Sequence, residues 1–147
     1  MLKLNKYHKL RFPILSLLWV MVIFSFSLQD GTQSNFQSGV ITTMMQSLLS
    51  SINIDLEREV LSFIIRKTAH FANFFILGMF VKQSAYDLKN NHFLYWVCLV
   101  PVVDETIQSF VPGRVMSLTD MLIDLAGIVA GVFFIVWMLE RHKTKTV

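Results

Sequence analysis

The sequence predicts an all-α membrane protein with several transmembrane helices. Of its 147 residues, 54% are hydrophobic and only 16% are charged, whereas a soluble domain averages about 25% charged residues. The polar residues come in blocks, and the apolar stretches between them are long enough for a helix to cross a hydrocarbon layer of about 30 Å. Cys98 is the one cysteine, which excludes an intramolecular disulfide. The chain is therefore expected to form a single membrane domain over residues 1–147.

Four apolar segments are predicted to be transmembrane helices, at about residues 12–28, 56–81, 92–111 and 118–139. The first segment follows a basic tail, but it is longer than a usual signal-peptide core and no small-residue cleavage pattern follows it. In the third segment, Pro101 cannot donate a hydrogen bond to the carbonyl of Val97, which predicts a kink just below Asp104. In the fourth segment, Gly127 and Gly131 are spaced to let the helix approach a neighbour closely.

A further, amphipathic helix is predicted over about residues 34–52, between the first two spans. Its apolar side chains recur every four residues and form one stripe, at Phe36, Val40, Met44, Leu48 and Ile52. The segment has no basic residue that would bind anionic lipid. This helix is therefore expected to lie at the outer membrane interface or to pack over the mouth of the helix bundle.

The distribution of basic residues predicts a topology with both termini in the cytoplasm. Nine lysines and arginines flank one side of the predicted spans, at positions 3, 6, 9, 11, 82, 89, 141, 143 and 145. Only Arg58 and Arg114 lie in the connections on the other side. Since basic residues concentrate in cytoplasmic connections, the protein is expected to be a multi-pass membrane protein. The excess of basic residues is therefore explained by membrane topology. Membrane lipids are the expected partners, and no nucleic acid is expected.

Charged and polar side chains inside the predicted spans are the candidates for function. A charged group in the hydrocarbon costs at least about 2.5–3.5 kcal/mol and needs a reason to be there. At about 1.5 Å of rise per helical residue, these groups fall in the outer half of the membrane, where the positive and negative charges balance if His70 is protonated. The candidate ligand-binding residues are Arg66, Lys67, His70, Asp104, Glu105, Gln108, Arg114, Ser117, Asp120 and Asp124.

Four motifs resemble the VanZ-like family of small bacterial membrane proteins. They lie at residues 24–31 with Ser34 and Ser38, at 66–71, at 104–114, and at Ser117 with Asp120, Asp124 and Gly127. The chain departs from the family pattern at Phe74, where relatives carry Tyr, so a role of that hydroxyl does not transfer. The resemblance implies a protein of the bacterial cell membrane that gives low-level resistance to teicoplanin, a lipoglycopeptide.

Several roles for the charged residues stay open from the sequence. They form a pocket for a lipoglycopeptide or a lipid-linked cell-wall precursor, an acid-base pair of an enzyme, or an ion-pair network that only fixes the helices. Glu105 and His70 are the candidate catalytic residues, although no nucleophile motif accompanies them. No cofactor is expected, and no metal ion, because the three neighbouring cations would compete for the carboxylates. The oligomeric state stays open.

Overall fold

The computed structural model describes the backbone of residues 2–144 and the side chains of residues 9–141. The side chains of Lys3, Lys6, Lys143 and Lys145, which entered the topology prediction, lie outside these described side chains. The described backbone is all-helical and has no strand, as the sequence predicts. Its helices are α1 (Leu2–Ser27), α2 (Gly31–Ser51), α3 (Arg58–Leu88), α4 (His92–Trp96), α5 (Val100–Ser109) and α6 (Leu118–Thr144).

Three of the described helices are long and apolar enough to cross a membrane. The crossing segments are Lys9–Ser27 in α1, Arg58–Leu88, and Leu118–Arg141 in α6. The 31 residues of α3 correspond to about 46 Å of helix, more than the about 30 Å of a hydrocarbon core. These three helices agree with three of the four predicted spans.

The predicted helix over residues 92–111 is divided into three consecutive pieces. Helix α4 is followed by a 3₁₀ turn over Val97–Leu99 and then by α5, whose first turn contains Pro101. Proline is tolerated in the first turn of a helix, where its missing N–H would have no partner, but not further inside. The change from α to 3₁₀ geometry therefore lies just before Pro101, at the place below Asp104 where the sequence predicts a kink.

Helices α3 and α6 form the most extensive helix pair of the protein, and glycines set their distance. A Cβ atom added at Gly127 would lie 2.6 Å from the carbonyl oxygen of Phe71. One added at Gly131 would overlap the carbonyl oxygen of Phe75, so neither position accepts a larger residue while the helices stay this close. The close approach predicted from the Gly127 and Gly131 spacing is thus confirmed.

The apolar core joins α1, α3, α6 and the 3₁₀ turn. The Trp19 indole N–H of α1 donates a 2.9 Å hydrogen bond to the Asn73 carbonyl oxygen, which ties α1 to α3. Asn73 is followed by Phe74, which is buried in this core. The core residues are Ile23, Phe74, Leu77, Val81, Val97 and Ile128.

Helix α2 begins at a cap and turns its polar face toward the protein. The Asp30 carboxylate accepts a 2.8 Å hydrogen bond from the backbone N–H of Gln33, as an N-cap residue does. Hydrogen bonds from the Thr32 hydroxyl and this N–H lower the pKa of Asp30. Ser38 and Thr42 are buried, whereas the apolar stripe of the helix is exposed: Phe36, Val40, Met44, Leu48 and Ile52.

Candidate functional site

Four of the predicted site residues meet in one place, called here the buried cluster: His70, Asp104, Glu105 and Asp124. Each offers one ligand atom, and these atoms lie within 4.8 Å of one another. They come from α3, α5 and α6, so the cluster exists only when the three helices pack together. The three carboxylic residues are at most 1% exposed. Burial of this kind requires that each carboxylate be held by hydrogen bonds or by a cation.

Asp104 is held by two hydrogen-bond donors. The Ser27 hydroxyl, at the carboxyl end of α1, donates to one carboxylate oxygen. The Gln108 side-chain amide, one turn further along α5, donates to the other oxygen over 2.9 Å. The i, i+4 spacing of Asp104 and Gln108 predicts that these two side chains share a face, but it could not show that α1 supplies the second donor.

Glu105 is held by the connection that precedes α6. Its Oε2 atom accepts a 2.6 Å hydrogen bond from the backbone N–H of Ser117. The Ser117 hydroxyl in turn accepts a 3.3 Å hydrogen bond from the backbone N–H of Asp120 at the start of α6. Ser117, a predicted ligand-binding residue, therefore positions Glu105 and caps α6 with its own atoms.

Asp124 pairs with His70 inside the cluster. The distance between His70 Nδ1 and Asp124 Oδ1 is 3.2 Å, and the Asp124 side chain is fully buried. Among the described residues, Asp124 Oδ2 and Glu105 Oε1 are buried atoms without a hydrogen-bond partner. A buried carboxylate oxygen without a partner is costly, so the described contacts leave the cluster incompletely satisfied.

Lys67 lies beside the buried cluster but belongs to a separate ion pair. Its ammonium group pairs with Asp120 of α6, and the two side chains are 22% and 17% exposed. The same ammonium group lies 5.1 Å from the centre of the Phe63 ring. The sequence predicts that all these charges lie in the outer half of the membrane. In the structure, the Lys67 ammonium group pairs with the Asp120 carboxylate and not with that of Glu105.

The two arginines of the predicted site have different surroundings. Arg114 donates to the carbonyl oxygens of Phe26 and Ser27 over 3.2 and 3.3 Å, and to the Ser34 hydroxyl over 3.1 Å. It therefore ties the connection before α6 to the end of α1 and the start of α2. Arg66 is exposed, and within the described part of the chain its guanidinium has no hydrogen-bond or ion-pair partner.

Two adjoining cavities open beside these residues. Cavity A, of about 320 Å³, lies among α1, α2, α3 and α5, and its walls combine polar side chains with apolar ones such as Ile23, Phe26 and Ile41. Cavity B, of about 270 Å³, is bordered by Lys67 and Asp120. The residues that line both cavities are Ser34, Arg66, His70, Gln108 and Arg114.

The structure therefore brings the ten predicted site residues into one region, although in different roles. Asp104 borders cavity A and His70 borders both cavities, while Glu105 and Asp124 border neither. The sequence analysis did not include Ser27 among the candidate site residues. Two signals point to it: its position at the end of the first span, and its place in the motif at residues 24–31.

A third cavity lies at the opposite ends of α1 and α3. It has a volume of about 710 Å³, and its lining includes four basic residues and one acidic residue: Lys9, Arg11, Lys82, Lys89 and Asp87. The predicted topology places this end of the bundle in the cytoplasm. The cavity is separate from the buried cluster and from cavities A and B.

Comparisons with known proteins agree with the resemblance carried by the four motifs. A family model described as VanZ/LLP1 matches residues 12–139, which include α2 to α5 complete and most of α1 and α6. Neither the curated proteins nor the solved structures contain a match to the chain. Because the family model spans most of the chain and includes every candidate site residue, the protein belongs to the VanZ/LLP1 family.

Proposed function

We propose that this VanZ-like membrane protein acts in the bacterial cell envelope, where it binds a lipoglycopeptide or a lipid-linked head group and gives low-level teicoplanin resistance. The observation that carries the proposal is the exposed Arg66 at the wall of both cavities. A guanidinium with no partner among the described residues is available to an anionic or polar ligand group.

The lining of cavity A supports a ligand that is partly polar and partly apolar. Arg66, His70 and Gln108 provide hydrogen-bonding groups at one side, and Ile23, Phe26 and similar side chains provide an apolar wall. Ligand sites typically combine an apolar lining with a few polar groups that fix the orientation. A head group attached to a lipid chain has this division, and so does a lipoglycopeptide with its acyl tail.

The proposed topology has four crossings, with both termini in the cytoplasm and the cavities at the outer leaflet. The helical pieces from His92 to Ser109 would supply the fourth crossing, since 18 residues extend over about 27 Å. An even number of crossings agrees with the concentration of basic residues on one side. In this arrangement α2 lies at the outer interface with its exposed apolar stripe in contact with lipid.

The second candidate function is a small membrane enzyme that performs acid-base chemistry on a lipid head group. The observation that favours it is the His70–Asp124 pair, because a carboxylate that orients an imidazole is a common arrangement in general acid-base catalysis. His70 borders both cavities, so its ring is within reach of a molecule bound there. Glu105, the other candidate, borders neither cavity, so His70 is the residue that would exchange a proton with the bound molecule.

The proposal is tested by measuring drug tolerance in a sensitive host. Expression of the protein should raise the inhibitory concentration of teicoplanin more than that of vancomycin, which has no lipid tail. Arg66→Gln should reduce this difference, because a hydrogen bond to a charged group contributes about 1.5–3 kcal/mol, or roughly a tenfold or larger change in affinity. Arg58→Gln is the matched control, since Arg58 is exposed on the same helix and borders neither cavity.

Membrane abundance is checked by immunoblot for each variant. Equal tolerance to both drugs, or an unchanged teicoplanin result for well-expressed Arg66→Gln, would contradict the binding proposal. His70→Asn separates the two candidate functions, because it removes the proton carrier and keeps a polar side chain. Loss of tolerance in this variant with normal abundance would favour the enzyme if the purified variant still binds teicoplanin as the wild type does, and the binding function if that binding is lost as well.

A further inference from the structure

The buried cluster has the donor set of a metal site. It offers one imidazole nitrogen and three carboxylate oxygens, from His70, Asp104, Glu105 and Asp124. Imidazole suits zinc and other late transition metals, while carboxylates suit manganese, magnesium and calcium. A site that combines the two favours a divalent transition-metal ion such as Mn²⁺ or Zn²⁺.

The distances within the cluster are close to those that an ion requires. Zinc holds nitrogen and oxygen ligands at about 2.0–2.2 Å, so ligands on opposite sides of such an ion are at most about 4.4 Å apart. The four ligand atoms already lie within 4.8 Å of one another. The widest separation therefore exceeds this limit by only about 0.4 Å.

Two buried oxygen atoms supply an independent observation. Asp124 Oδ2 and Glu105 Oε1 are without a hydrogen-bond partner in the described part of the chain, and both residues are 0% exposed. Carboxylate oxygens are buried in this way at a large cost unless something positive satisfies them. A cation among the four ligand atoms would supply the positive charge that the described contacts do not.

Nearby cations do not fill this role. Among the described residues, Lys67 pairs with Asp120, and Arg114 donates to α1 backbone carbonyls and to Ser34. These two cations, which the sequence suggested would compete with a metal ion for the carboxylates, therefore bind other groups. Within that described part, His70 is the one basic side chain that lies within hydrogen-bonding distance of a carboxylate of the cluster, and its neutral ring is a metal ligand.

The hydrogen bonds around the cluster are of the kind that holds metal ligands in place. Asp104 accepts from Ser27 and Gln108, and Glu105 accepts from the backbone N–H of Ser117. Such bonds orient the ligands before the ion binds. They also leave an oxygen of Glu105 free for coordination.

We propose that His70, Asp104, Glu105 and Asp124 bind one divalent transition-metal ion between α3, α5 and α6. The ion offsets two of the three negative charges of the carboxylates and joins helices that are far apart in the sequence. This inference does not rest on the proposed drug-related function, because it concerns the buried cluster and not the ligand of cavities A and B.

The test is metal binding by the full-length protein in detergent, after chelator treatment and removal of the chelator. Incubation with Mn²⁺ followed by gel filtration should leave about one ion per chain, measured by elemental analysis and by the paramagnetic resonance of bound Mn²⁺. Glu105→Gln and Asp124→Asn should lose the ion. Glu59→Gln is the matched control, because Glu59 is exposed on α3 and outside the cluster, and it should bind as the wild type does.

A milder variant keeps the test decisive if a ligand variant does not fold. Ser27→Ala removes a hydrogen bond to Asp104. It should weaken the affinity for Mn²⁺ about 10–100-fold, because the loss of a group that orients a metal ligand typically has an effect of this size. A wild-type protein that retains no Mn²⁺ and no Zn²⁺ would overturn the proposal, and so would equal binding by Glu105→Gln and the wild type. The assay contains no drug, so such a result would leave the drug-tolerance proposal standing.

Discussion

The pairing of Lys67 with Asp120 makes a quantitative prediction about stability. Lys67→Met leaves Asp120 without its cation, and Asp120→Asn leaves Lys67 without its anion. Exposed ion pairs contribute about 0.2–1 kcal/mol, and removal of one member of a fully buried pair costs about 3–5 kcal/mol. With side chains 22% and 17% exposed, the pair lies between these limits, and each single substitution should cost about 2 kcal/mol.

A double-mutant cycle measures whether the two residues act as a pair. The double variant Lys67→Met/Asp120→Asn should lose about 2 kcal/mol and not about 4, because the second substitution removes a charge that is already unpaired. The assay is reversible unfolding in mixed micelles of increasing SDS content, followed by circular dichroism. The matched cycle combines Lys67→Met with Glu105→Gln, which are not in one ion pair in the structure.

The two cycles give opposite expectations, so the reasoning can be refuted. Lys67 and Asp120 should show a coupling energy of about 2 kcal/mol, and Lys67 and Glu105 a much smaller one. Additive losses for Lys67 and Asp120 would show that the ion pair does not form in the membrane protein. Stronger coupling of Lys67 to Glu105 would show that the charges form the single network considered from the sequence.

Two other predictions concern topology and helix packing. In a Cys98→Ser background, Asp55→Cys should react with an impermeant thiol reagent on intact cells, and Asn91→Cys should react only after permeabilisation. The reason is that the distribution of basic residues puts these two connections on opposite sides of the membrane. The reverse pattern of labelling would contradict the topology. Gly131→Ala should destabilise the protein by about 1–3 kcal/mol, because the added Cβ would overlap the Phe75 carbonyl oxygen. Ala126→Leu, at an exposed position of α6, should leave the unfolding midpoint unchanged, and equal effects of the two substitutions would contradict the close α3–α6 contact.

The sequence determined the class of protein and most of its membrane-spanning helices. Long apolar stretches predict membrane helices because the bilayer fixes the length of a crossing, and three of the four predicted crossings are found as long apolar helices. The spacing of Gly127 and Gly131 predicted the close α6 contact, and Pro101 predicted a local disturbance of the helix, found as the 3₁₀ turn before α5. Such features are visible in one segment alone, since they depend on its own length, composition and periodicity.

Only the tertiary structure decided which charged residues meet. The axial rise of a helix places Lys67, Glu105 and Asp120 in the outer half of the membrane, but the pairing depends on how each helix is rotated about its axis. That rotation is set by contacts such as the packing of α3 on Gly127 and Gly131, between residues far apart in the sequence. The same contacts bring His70 of α3 to Asp124 of α6, and they cannot be read from either helix alone.

The orientation of α2 was likewise a result of the tertiary structure. Its apolar stripe is visible in the sequence, but a stripe does not say whether it faces protein or lipid, since both are apolar. In the structure Ser38 and Thr42 face the protein and residues such as Phe36 and Met44 face outward. The small polar face fits against the bundle beside Arg114, whose hydrogen bond to Ser34 fixes the start of α2.

The partners of Arg114 were also decided by the tertiary structure. A guanidinium can donate to carbonyls, hydroxyls or carboxylates, so only the folded arrangement of α1, α2 and the turn before α6 determined which of them it contacts.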